Sequence, residues 1–213
     1  MIRSNNTGAG TVENATDSSA NAHAGALEMS SESMTDALLT EEEKAMVSNG
    51  VSVQVDLDIK DISETVLEED KTLIEKASGK NTVALYLDIT LTKQMGTASP
   101  VKVTETTDAV TVSITVPTAL RNNDTKIERS YKVIRVHEGK TDILDTVYDA
   151  KSGKLTFETN AFSTYALVYS DAPAKASSPQ TGDTATPWLF AGMMVLSFCG
   201  ITVLTNKSKK KFS

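Results

Sequence analysis

Several stretches of the chain alternate strictly between apolar and polar side chains, which is the pattern of β-strands with one buried face. The clearest is VSVQVDLDIK, residues 51–60, in which every second residue is apolar. Residues 82–91 repeat the pattern, and so do residues 109–117, where Pro117 ends it. The aliphatic residues predicted to share one face in each of these two stretches are Val83, Leu85, Leu87, Ile89 and Leu91, and Val110, Val112, Ile114 and Val116.

Residues 129–170 predict four more short strands, separated by turn signals at Glu138-Gly139, Ser152-Gly153 and Thr159-Asn160. Short strands joined by turns, without helices long enough for βαβ units, favour antiparallel pairing. We therefore expect a mainly β domain over residues 40–171, an antiparallel β-sandwich with seven or eight strands and one or two helices.

Two segments of this domain carry helix signals. In TEEEKAMVSNG, Thr40 is a candidate N-cap, Glu43 stands three residues later as in a capping box, and Gly50 stops the helix. In LEEDKTLIEKASG, acidic residues occupy the first turn and Gly79 lies where a C-cap belongs. Leu73, Ile74 and Ala77 then share one face of the second helix.

The flanks of the domain have a different composition. Residues 1–39 are rich in Ser, Thr, Asn, Ala and Gly and contain no aromatic residue, so we predict a disordered low-complexity region. Residues 172–187 contain three prolines and many small polar residues, and predict an extended linker. A signal peptide is not visible at the N-terminus, which suggests a fragment of a longer protein or a start codon further upstream.

Residues 188–205, WLFAGMMVLSFCGITVLT, carry no charge and would span about 27 Å as a helix, close to the hydrocarbon thickness of a bilayer. They predict a transmembrane helix, with a buried core helix as the alternative. Residues 206–213 form a basic tail with Lys207, Lys209, Lys210 and Lys211, which favours a cytoplasmic C-terminus and an N-terminal body outside. A tail-anchored cytosolic protein would have the opposite orientation.

The charge distribution excludes some functions. The chain carries a net charge of −7, and residues 182–213 hold four lysines against one aspartate, so residues 1–181 carry −10. A body this acidic offers no basic surface for nucleic acid. The single cysteine, Cys199, lies in the predicted span, so the chain can form neither an internal disulfide nor a cysteine-based zinc site.

Each of the remaining candidate functional residues also has a purely structural explanation. His23 and His137 stand apart and suggest no catalytic or metal pair, so we expect no enzyme activity and no cofactor. Asp56, Asp58 and Asp61 could bind calcium, but they also form the polar face of a strand. An intramolecular Lys–Asn isopeptide bond stays open. Packing is favoured over a carbohydrate platform for the aromatic residues Tyr131, Phe157, Phe162, Tyr165 and Tyr169.

The C-terminal order of pentapeptide, apolar span and basic tail resembles the cell-wall sorting signal of Gram-positive surface proteins. The pentapeptide is Ser178, Pro179, Gln180, Thr181 and Gly182, which differs from the common LPXTG form at its first position and is similar to the SPXTG variants of clostridial proteins. The resemblance implies cleavage between Thr181 and Gly182 by a sortase, and attachment to peptidoglycan. It also implies that the membrane holds the chain before sorting, with the lysines as the retention signal.

The body has a looser resemblance, carried by YKVIRVHEG, KLTFET and TYALVYS, to β-sandwich modules that precede such sorting signals. It implies a stalk or presentation role at the cell surface. Two alternatives stay open: an adhesin whose sandwich binds a ligand, and the non-catalytic tail of a surface enzyme.

Overall fold

The computed structural model describes residues 12–14 and 25–174, which belong to one compact unit. Eleven strands and three helices are present within these ranges. The strands are β1 (Val12–Asn14), β2 (Gly25–Leu27), β3 (Val53–Asp61), β4 (Thr82–Met95), β5 (Val101–Val103), β6 (Glu105–Thr115), β7 (Ile127–His137), β8 (Lys140–Leu144), β9 (Thr146–Asp149), β10 (Lys154–Ala161) and β11 (Thr164–Pro173). The helices are α1 (Ser31–Leu38), α2 (Glu41–Ser48) and α3 (Glu68–Ser78), with a 3-10 turn at Thr118–Leu120.

The strands form two sheets. The large sheet has the order β1-β3-β4-β11-β7-β8, with β5 also pairing with β4, and the small sheet has the order β2-β6-β10-β9. All the ladders are antiparallel except the one that joins β1 to β3. The prediction of a mainly β fold with antiparallel pairing is therefore confirmed, and the two sheets are compatible with a β-sandwich.

One buried cluster combines side chains from both sheets, as the alternating patterns require. The predicted apolar faces of β3 and β6 are confirmed, because Val55 and Leu57 are at most 2% exposed, and so are the three predicted residues of β6 and Val116 directly after it. The predicted face of β4 is wrong at Val83, which packs in a separate cluster with Ile74 of α3. A register shift in the β4–β11 ladder leaves Ala84 as an extra residue, and this reverses the side-chain direction before it.

The two predicted helices are present with their expected ends. Thr40 and Glu43 form a capping box at the start of α2, and Gly50 follows the helix with φ +96°. The helix α3 has three acidic residues in its first turn and Gly79 as its C-cap. Its completely buried Ile74 packs on the face of the large sheet formed by Ile134, Val136, Ala166 and Val168.

Helix α1 corrects the prediction that residues 1–39 are disordered, which is wrong for residues 12–14 and 25–39. Ser30 caps the helix by accepting a hydrogen bond from the Ser33 amide, and Met34, Ala37 and Leu38 are buried on its inner face. These three residues have the spacing of an amphipathic helix, which the polar composition of the segment conceals. The domain therefore begins before residue 40, and the rest of the 1–39 segment lies outside the described residues.

The turn predicted at Thr159-Asn160 is also wrong, since both residues belong to β10. The Thr159 hydroxyl is buried and bonds to the Tyr165 hydroxyl at 2.8 Å, so its polarity is satisfied inside the domain. The connection to β11 follows at residues 162–163 instead. Five strands, rather than four, occupy residues 127–173, and the predicted domain from residue 40 onward contains nine strands, β3 to β11, rather than seven or eight.

Within residues 12–14 and 25–174, no helix is long and apolar enough to cross a membrane. The span predicted at residues 188–205 and the basic tail at 206–213 lie outside the described residues, as does most of the predicted linker at 172–187.

Candidate functional site

The residues predicted to be read by sortase, Ser178 to Gly182, lie outside the described residues. The same holds for the retention lysines Lys207, Lys209, Lys210 and Lys211. The structure does describe the strand that leads to the pentapeptide: β11 ends at Pro173, five residues before Ser178. The candidate site is therefore the end of the domain from which the chain continues to the predicted motif.

The chain enters and leaves the large sheet at opposite ends of β4. The first residue of β3, Val53, pairs with Met95 at the last residue of β4, and Val12 of β1 pairs with Val53. At the other end, Tyr169 of β11 pairs with Thr82, the first residue of β4, and β11 then continues to Pro173. The 14 residues of β4 separate the two ends by about 45 Å. We call the end at Val53 and Met95 the entry end, and the end at Thr82 and Pro173 the exit end.

Arg129 of β7 holds the exit end of β11. Its guanidinium donates two hydrogen bonds to the Asp171 carboxylate, at 2.7 and 2.6 Å, and a third to the Leu120 carbonyl at 2.9 Å. The same group lies 3.8 Å above the centre of the Tyr169 ring. The hydrogen bonds from Arg129 lower the pKa of Asp171, so this carboxylate is charged well below neutral pH. The pair fixes β11 against β7 close to the point where the strand ends.

A pocket of about 350 Å³ also lies at the exit end, between the segment that follows β6 and the turn that precedes β10. The rings of Tyr131 and Tyr148 form part of its wall, with centroids 4.6 Å apart. The Tyr131 hydroxyl donates to the Leu120 carbonyl at 2.7 Å, and burial of this side chain raises its pKa. The lining residues are Thr118, Arg121, Asn122, Asn123, Arg129, Tyr131, Tyr148 and Ala150.

Arg121 supplies the cationic group of the pocket that could meet a ligand. Its Nε donates to the Val116 carbonyl at 2.8 Å, while its terminal nitrogens have no hydrogen-bond partner among the described residues. The guanidinium lies directly against Gly153, where a Cβ atom would come within 2.1 Å of Cζ. A guanidinium of this kind, beside aromatic rings and the Asn123 amide, suits a small carboxylate. Sequence reasoning missed this group because its parts come from segments far apart in the chain.

The other candidates from the sequence do not form a shared centre. His137, at the end of β7 that lies away from the exit end, contacts Glu105 at 3.0 Å, and His23 lies outside the described residues. Asp58 pairs with Lys60 at 2.6 Å, and in the described part of the chain no three His, Cys, Asp or Glu side chains are grouped so as to hold a metal ion.

The aromatic residues serve packing, as predicted. Tyr131, Phe157, Phe162 and Tyr165 are at most 5% exposed, and Tyr169 packs partly buried against the same cluster. Burial raises the pKa of Tyr165 to about 12, so its hydroxyl stays protonated and bonded to Thr159 and to the Ala161 carbonyl.

Comparison with known proteins gives no relative: no protein family, curated protein or solved structure matches the chain.

Proposed function

We propose that this chain is a sortase-anchored surface protein of a Gram-positive bacterium, in which a β-sandwich serves as a spacer on the cell wall. The observation that carries the proposal is the order of three C-terminal parts: the pentapeptide at 178–182, the uncharged span at 188–205 and the lysine-rich tail. Together they resemble a complete cell-wall sorting signal. The protein is the substrate of this reaction and contributes no catalytic residue.

The chemistry of anchoring is acyl transfer at Thr181. The sortase thiolate attacks the Thr181 carbonyl, the bond to Gly182 breaks, and Gly182 leaves with a new amino terminus. The resulting thioester is then attacked by an amine of the peptidoglycan, which forms an amide with Thr181 and releases the thiolate. The span and lysines keep the chain in the membrane until this exchange, with the domain outside and the C-terminus in the cytoplasm.

The positions of the two chain ends support the spacer role. Because the chain enters the large sheet beside Met95 and leaves beyond Thr82, the domain lies in line between whatever precedes it and the wall. Such a domain adds about 45 Å of reach, the length of β4. Two ends on the same side of the domain would add almost none.

The position of the pocket around Arg121 and Tyr148 makes it a poor candidate for an adhesin site. It lies at the exit end, beside the strand that continues to the sorting motif. A surface that binds host ligands is more effective at the end of the domain farther along the chain from the anchor. The other alternative is that the domain is the non-catalytic tail of a surface enzyme. It would then also serve as a spacer, so the positions of the chain ends agree with both functions.

The experiment that tests anchoring compares two threonines of the linker in the native host, with a functional signal peptide placed before the chain. We expect Thr181→Ala to move the protein from the wall fraction to the membrane fraction, because the residue at the acyl position no longer fits the sortase. The matched control Thr184→Ala, three residues further on, stays in the wall fraction. Wild-type protein found only in the membrane fraction contradicts the proposal.

A further inference from the structure

The central strand β4 joins the strands through which the chain enters and leaves the large sheet. On one edge, residues 87–95 of β4 pair with β3 over nine positions. On the other edge, residues 82–88 pair with β11 over six positions. Since both neighbours are antiparallel to β4, β3 and β11 run in the same direction, at opposite ends and on opposite edges of one strand.

This arrangement fixes how the ladders respond to tension along the chain. A force on Val53 toward the preceding residues pulls β3 past Met95, and a force on Pro173 toward the following residues pulls β11 past Thr82. Both strands are therefore drawn along β4 rather than away from it. The hydrogen bonds of an antiparallel ladder are perpendicular to the strands, so such a force loads all of them together. Peeling a strand from its end breaks them one pair at a time.

The strands on the load path are also well protected from water on their inner face. Leu87, Ile89 and Leu91 of β4 are at most 1% exposed, and so are Tyr165 and Leu167 of β11. Water therefore cannot readily replace a stretched backbone hydrogen bond with one of its own. On its far edge β11 pairs with β7 over ten positions, and the two hydrogen bonds from Arg129 to Asp171 hold the last part of the strand. Beyond Tyr169, β11 is thus held on its β7 edge.

The elements that precede β3 do not change the direction of the load. The strand β1 pairs with β3 in parallel over three positions, beginning at the same end, and β2 pairs with β6 over three. Because β1 and β3 are parallel, tension on Val12 toward the preceding residues acts along β3 in the same direction as tension on Val53.

We propose that this domain has a load-bearing function, with β3, β4 and β11 forming a clamp that resists tension between the entry and exit ends in shear. The identification of the cell wall as the fixed point rests on the proposed function. The mechanical property itself depends only on the register of the three strands.

The test is single-molecule force spectroscopy of the full chain with cysteine attachment points, after Cys199→Ser removes the native thiol. In the first pair, Ser52→Cys and Ala174→Cys apply the force along the natural direction. In the control pair, Ser52→Cys and Thr97→Cys load the same β3–β4 ladder from one end, where the Gly96 amide donates to the Ser52 carbonyl at 2.7 Å. The control force opens the ladder by peeling. Both proteins should have the same thermal midpoint before pulling, because only exposed or half-buried terminal positions are changed.

We expect the rupture force in the first pair to be about threefold or more that of the control pair. Equal forces in the two directions, or a lower force in the natural direction, would overturn the proposal. The result is independent of anchoring: failure of Thr181→Ala to change localisation refutes sorting but leaves the mechanical difference in place, and the reverse holds as well.

Discussion

The carboxylate of Glu43 connects the N-terminal helices to the large sheet. It accepts hydrogen bonds from the Lys93 ammonium at 2.6 Å and from the Thr40 amide at 2.9 Å. Lys93, on β4, also donates to the Leu38 carbonyl at 3.0 Å, next to the end of α1. Partial burial acts to raise the pKa of Glu43, but the hydrogen bonds from Lys93 and Thr40 outweigh it and the pKa is lowered. The ionised carboxylate is therefore stabilised by folding.

Replacing this carboxylate tests the connection. We expect Glu43→Gln to lower the free energy of unfolding at pH 7 by about 1–2 kcal/mol, because charge-assisted hydrogen bonds are lost from a site with little solvent. The folded pKa lies below the unfolded value of 4.5, so the stabilisation is present above pH 4.5 and disappears as the pH falls through the folded pKa. Urea unfolding of both proteins from pH 7 to pH 3 measures this difference.

The control for this measurement is Glu42→Gln, a change to an exposed residue in the same turn of α2. We expect it to change the free energy of unfolding very little. A Glu43→Gln effect that is no larger than the control, or one that stays constant down to pH 3, would show that the ion pair with Lys93 contributes nothing.

For individual side chains, the sequence predicts interaction partners that are close in the chain well and partners that are distant in the chain poorly. The capping box of Thr40 and Glu43 is evident because its residues are three positions apart, a distance fixed by helix geometry. The Lys93 partner is 50 positions away, and nothing in the local sequence marks it. The pocket beside Arg121 was missed for the same reason.

Among the secondary-structure elements, α1 shows how composition can hide a packed segment. Its polar residues are typical of a disordered region, yet one face of the helix supplies Met34, Ala37 and Leu38 to the core. Leu27 of β2 and Leu39 join them at no more than 6% exposure. A periodicity of three or four residues was the available signal, while the average composition pointed the other way. The extra residue Ala84 in β4 left no such signal in the sequence, because the register shift arises from the pairing of β4 with β11.

Removing the N-terminal elements should therefore disrupt the domain. We compare two chains that both end at Ala174 and begin at Gly25 or at Thr40. The shorter chain loses four large buried side chains, each worth about 1.5–3 kcal/mol, which together approach the whole stability of an ordinary domain. We expect cooperative thermal unfolding, followed by circular dichroism, only for the chain that begins at Gly25. Identical melting curves would show that β2 and α1 add nothing to the core.

For the whole molecule, the alternating patterns predicted a mainly β body because burial of one sheet face requires a period of two, and β3 follows it from Val53 to Ile59. The order of the strands could not be predicted in this way, since alternation says which face is buried and not which strand lies beside it. That order places the entry and exit ends at opposite ends of β4. The spacer role and the mechanical proposal both depend on this placement.

The most direct test of the account is the chemical identity of the protein's C-terminus in the wall. Wild-type protein, exported in its native host, is released with muramidase and digested with trypsin, which cleaves after Lys175. The account predicts the peptide from Ala176 to Thr181, with its terminal carboxyl joined through an amide to a peptidoglycan fragment, in the mass spectrum. Recovery of a peptide that continues through Gly182 toward Lys207, without a fragment joined at Thr181, would contradict it.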